Sequence, residues 1–170
     1  MSLKVKMAAF EKMLADIAGG HAFATVKYGS FLISELIFSN QQIDFDGNKI
    51  MYHSQIEWVK IPDDLGALGG YKRKIQISEF LPLLIQKLHE AWDFTKSFSG
   101  IDKTQLYKLE EIEQELSQLI EAFAHNFIDQ LDAEHELFEL YVDEGVHNYR
   151  IFLAKGKGEV QIIELLNFID

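Results

Sequence analysis

A chain of 170 residues, 48% of them hydrophobic, is long enough for one well-buried core and short for two. The absence of Cys excludes disulfides and thiolate metal sites and points to a reducing compartment, and no stretch approaches the roughly 18 apolar residues of a membrane span. A formal charge of −11 counts against a nucleic-acid phosphate binder, which needs concentrated positive potential, and suits a cytoplasmic protein with a basic protein partner.

From Val5 to Ala18 the residues Val5, Phe10, Met13, Leu14 and Ile17 fall near one helical face, and Gly19-Gly20 supplies a stop. The polar run Glu11 to Asp16 interrupts any signal-peptide core. Residues 1–6 read as a flexible or added leader on a single domain over 1–170. The period then changes to strand-like alternation. His21 to Lys27 and Phe31 to Phe38 flank an expected turn at Tyr28-Gly29-Ser30, and Ile43 to Phe45 and Lys49 to His53 flank Asp46-Gly47-Asn48. Gln55 to Ile61 reads as a further strand ended by Pro62.

Leu65 to Lys74, with Gly66, Gly69 and Gly70, reads as a loop leading to two helices. Ser78 is the expected N-cap of the first, which runs to about Phe98 and tolerates Pro82 near its start. Asp102 is the expected cap of the second, in which Leu109, Ile112, Leu116, Leu119, Phe123, Phe127 and Leu131 advance by threes and fours over about thirty residues. Strands return at Glu136 to Asp143, Asn148 to Ala154 and Glu159 to Leu165, the last two joined by a Gly156-Lys157-Gly158 turn. Runs of strands and runs of helices predict an α+β fold, with antiparallel strand meanders packed against a short N-terminal helix and two longer central ones.

Motifs for chemistry are sparse. Asp44, Asp46 and Asn48 alternate like calcium ligands, but a calcium loop needs more oxygens and a terminal Glu, whereas Lys49 and a strand follow. The six His supply one Glu121-x-x-x-His125 pair and no His-Glu-x-x-His, so no metal site is expected. Ser30, Ser34, Ser54, Ser78, Ser97 and Ser99 lack a Gly-x-Ser-x-Gly setting. No cofactor motif is present, and an enzyme is the less favoured reading.

Two surfaces stand out. Tyr71, Lys72, Arg73 and Lys74 beside the glycines are the expected ligand- or anion-binding residues, although the spacing is not that of a P-loop. Glu110, Glu111, Glu113, Glu115 and Glu121 crowd the polar side of the long helix and are the expected partner-binding residues. The first expectation is a non-enzymatic protein-binding module, immunity-, chaperone- or adaptor-like and bacterial in style. The alternatives are a small-molecule or anion-binding domain and a homo-oligomer assembled through the long helix.

Overall fold

The computed structural model describes residues 2–19, 22–32, 42–45, 48–51, 70–99 and 106–169. Along the chain these form α1 (Leu3–Ile17), β1 (Ala22–Leu32), β2 (Gln42–Phe45), β3 (Asn48–Met51), β4 (Tyr71–Ile75), α2 (Ile77–Ser97), α3 (Leu106–Asp129), β5 (Glu136–Asp143), β6 (His147–Lys155) and β7 (Glu159–Ile169). Five strands make one antiparallel sheet in the order β1-β7-β6-β5-β4, and β2 pairs with β3 in a separate two-stranded sheet. The architecture is α+β, as the element order predicts.

Period-2 alternation gives the sheet two faces. Ala24 and Val26 of β1, Ile75 of β4, Leu137 of β5, Phe152 and Ala154 of β6 and Ile163 and Leu165 of β7 join the core with α1, α2 and α3. Phe138, Leu140, Val142, Tyr149, Ile151, Leu153, Val160, Ile162 and Leu166 form a second buried cluster on the opposite face. Strands buried on both faces read as nearly continuous apolar runs, which is why Glu159 to Leu165 alternates so weakly.

Each helix buries one stripe. α1 buries Leu3, Met7, Phe10 and Leu14, capped by Ser2, whose Oγ accepts from the Val5 amide at 3.2 Å. Met7 and Leu3 set the face, and Val5 points away at 52% exposure. α2 buries Phe80, Leu84, Leu88, Ala91 and Trp92, and α3 buries Leu109, Leu116, Ile120, Phe123, Ala124 and Phe127. Phe80 packs edge-on against Phe152 at 5.4 Å and stacks on Phe127 at 5.5 Å, which ties both helices to the sheet.

Several expectations need correction. Tyr28-Gly29-Ser30 is not a turn: β1 continues through it because β7 offers an unbroken ladder partner, Gly29 facing Ile162. Phe31 and Leu32 end that strand, and 33–38 lie outside the described residues, as do the expected strand 55–61, Asp102 and the loop 65–69. Lys72 to Lys74 are strand, paired with Leu140, Glu139 and Phe138, not loop. The N-cap position of α2 belongs to Gln76, with no side-chain cap bond, and Pro82 lies within the helix. α3 is 24 residues long and stops at Asp129, short of Leu131. β2 and β3 pair as expected, but Asn48 belongs to β3, opposite Phe45, and Asp46, Gly47, Tyr52 and His53 lie outside the described residues; the strand at Glu136 to Asp143 and the Gly156-Lys157-Gly158 turn stand as predicted, with Gly158 at φ 93°, where a Cβ is disfavoured.

Candidate functional site

The helix-facing side of the sheet is apolar where α1 and α2 pack on β1 and becomes polar at the far corner. Alternation and register place Tyr71 and Arg73 of β4, Glu139 and Tyr141 of β5 and Asn148 and Arg150 of β6 there, with Asn167 of β7 opposite Asn148. Glu139 has no exposed surface. Its Oε1 accepts from Arg73 Nε at 2.9 Å and its Oε2 from Arg150 Nη1 at 2.8 Å. Burial raises the Glu139 carboxyl, but the Arg73 hydrogen bond, the Arg150 charge and the Tyr71 hydroxyl outweigh it and hold the group below its ordinary value. A buried carboxylate between two guanidiniums is therefore ionised, and it keeps Arg73 charged in turn.

Arg150 is fixed from three directions. Nη1 also donates to the Tyr71 hydroxyl at 2.9 Å, and the guanidinium carbon sits 4.6 Å from the centre of the Tyr141 ring. Its Nε and Nη2 make no hydrogen bond among the described residues. Beside it α2 and the sheet enclose a cleft of about 180 Å³ lined by Lys87, Glu90, Tyr141, Asn148, Arg150 and Asn167, with Ala91 and Leu165 at its apolar edge. Glu90 accepts from Gln86 and Lys87, both at 2.9 Å. Burial pushes its carboxyl up, and these bonds with the nearby Lys87 and Arg150 charges bring it below the ordinary value.

The four expected ligand residues divide between the two faces of β4. Tyr71 and Arg73 reach the corner cluster, whereas Lys72 and Lys74 share the face of Leu140 and Phe138, with Lys74 3.4 Å from Glu136. Glu139, Arg150, Glu90, Asn148 and Asn167 escaped the sequence reading. Glu139 and Arg150 carry a signal, a charge set inside an apolar strand: Glu139 interrupts Leu137 to Val142, and Arg150 precedes Ile151 to Ala154.

The expected acidic surface also divides. Glu110, Glu111, Glu115 and Glu121 are exposed on α3, opposite its buried stripe. Glu113 turns to α2, accepting from Lys96 Nζ at 2.6 Å and Trp92 Nε1 at 3.2 Å. Burial raises its carboxyl, and these two donors lower it further than burial raises it. Glu121 lies 3.2 Å from His125.

His135, at the entry to β5, is buried to 7% side-chain exposure, with Nδ1 2.8 Å from Asp132 Oδ1 and Nε2 3.6 Å from Glu159 Oε1. The absence of a side chain at Gly156 makes room for it, since a Cβ there would meet Nε2 at 2.8 Å. Among the described residues no three His, Asp or Glu side chains gather as metal ligands, and no helix is long and apolar enough to cross a membrane. Comparison with protein-family models, curated proteins and solved structures finds no match for the chain.

Proposed function

We propose that the protein is a non-enzymatic binding module that docks a basic protein partner on the outer face of α3, in the manner of an immunity protein, chaperone or adaptor. The observation that carries this reading is the composition of that face. Glu110, Glu111, Glu115 and Glu121 are exposed on it, and Lys108 is the one Lys or Arg in the helix. Like charges three and four residues apart cost an isolated helix about 0.2–0.5 kcal/mol per pair. Lys96, the cation that α2 directs at this helix, is engaged by Glu113, so the outer acids gain no compensating partner from it. A net charge of −11 extends the negative field beyond the helix and accelerates encounter with a cation-rich surface.

The test is the association of the full chain with its co-purifying partner at low and high salt, beside a variant carrying Glu110→Gln, Glu111→Gln, Glu115→Gln and Glu121→Gln. The wild type is expected to lose association rate as salt rises, and the variant to be slow at every salt. An unchanged rate in the variant overturns the assignment. A second reading, a small-molecule or anion-binding domain, has one observation in its favour: the polar cleft beside Arg150.

A further inference from the structure

We propose that the cleft between α2 and the β5–β7 corner of the sheet binds a small monocarboxylate carrying an adjacent hydroxyl or amino group, with Arg150 as the carboxylate receptor. The inference rests on the second reading above and is independent of the acidic face of α3.

The cleft is concave, and its polar groups are only partly used by the fold. Arg150 lines it with Nε and Nη2 uncommitted among the described residues. A guanidinium presents paired N–H donors in a planar fork that matches a carboxylate. The fork is held in place beforehand: Glu139 and Tyr71 grip Nη1 and Tyr141 supports the plane, so binding does not have to order a long side chain. Asn148 and Asn167 stand opposite each other on β6 and β7, line the same cleft, and their carboxamides make no hydrogen bond among the described residues.

Charge and size narrow the class. Arg73 and Arg150 share the single carboxylate of Glu139. Arg73 has a further acidic neighbour, Glu79, at 3.8 Å, whereas Arg150 faces the cleft. There Lys87 and Glu90 already form an ion pair at 2.9 Å. The residues that line the cleft itself set Lys87 and Arg150 against the one carboxylate of Glu90, which suits one added negative charge better than two. Each carboxylate oxygen can accept more than one hydrogen bond, so Glu90 still offers acceptor capacity to a ligand hydroxyl or amino group. A volume of about 180 Å³ is below the usual range of about 300–1,000 Å³ for drug-sized ligands and fits a compact acid.

The test is a titration of the full-length protein with lactate, alanine, acetate and inorganic phosphate, followed by nuclear magnetic resonance of the Asn148 and Asn167 side-chain amides and the Arg150 Nε–H. Lactate or alanine is expected to give saturable shifts at all three, with acetate weaker. Arg150→Lys is expected to weaken binding by about tenfold or more, because an ammonium cannot reproduce the planar fork. Asn167→Asp, which leaves the Arg73–Glu139–Arg150 chain intact, is expected to weaken it comparably by repelling the carboxylate. Saturation by phosphate alone overturns the carboxylate class while leaving a ligand site at the cleft. Absence of saturation with every probe, or shifts unchanged in a folded Asn167→Asp protein, overturns the site.

Discussion

Glu139 is the residue on which the polar corner depends. Replacing it by Gln removes the charge that both guanidiniums share, and breaking a buried ion pair from one side costs about 3–5 kcal/mol. Denaturant unfolding of Glu139→Gln should show that loss at neutral pH. Acid titrates the same interaction. The folded-state carboxyl lies below its ordinary value, so its contribution is complete above the unfolded value of about 4.5 and is lost as pH falls through the folded one. Unfolding free energies measured across that acidic range should therefore decline more steeply in wild type than in Glu139→Gln. A neutral counterpart sits at Thr95, buried on α2, whose Oγ1 accepts from the Ala24 amide of β1 at 3.0 Å and donates to the Ala91 carbonyl at 2.9 Å. Thr95→Val keeps the shape and orphans the Ala24 N–H, at an expected cost of about 1–3 kcal/mol in the same unfolding assay.

At the scale of elements, α3 combines two unlike faces, and mutation separates them. Glu111 and Glu115, exposed and one turn apart, repel; the double variant Glu111→Gln with Glu115→Gln should raise the unfolding free energy by about 0.2–0.5 kcal/mol at low salt and less at high salt, read as a slightly higher thermal midpoint. Leu116 on the inner face is 1% exposed, and Leu116→Ala should cost about 2–5 kcal/mol. Periodicity read this helix well because threes and fours are a property of the backbone itself. The turn expected at Tyr28-Gly29-Ser30 fails for the opposite reason. Gly29 carries no local instruction strong enough to oppose a neighbouring strand, and β7 pairs with β1 from Ala22 to Leu32. Lys72 to Lys74 likewise become strand because β5 supplies partners for them, despite the glycines that precede them.

For the whole molecule, the sequence by itself determined the α+β class, the antiparallel C-terminal meander and the apolar stripes of the helices, since periodicity, turn chemistry and capping act over a few residues. It also determined that α3 is rich in acids, because helical spacing places Glu110, Glu111, Glu115 and Glu121 away from Leu116 and Phe123. Only the tertiary structure decided that Glu113, on the same helix, is not available beside them: it is taken by Lys96 and Trp92 across a helix–helix contact. The polar corner depends on tertiary structure alone. Arg73, Glu139 and Arg150 lie on three different strands, and Asn167 on a fourth. Their meeting follows from strand order and register, which arise from long-range pairing and leave no periodic trace in the chain. A one-residue shift of β6 would carry Arg150 to the opposite face of the sheet, away from Glu139, Tyr71 and Tyr141.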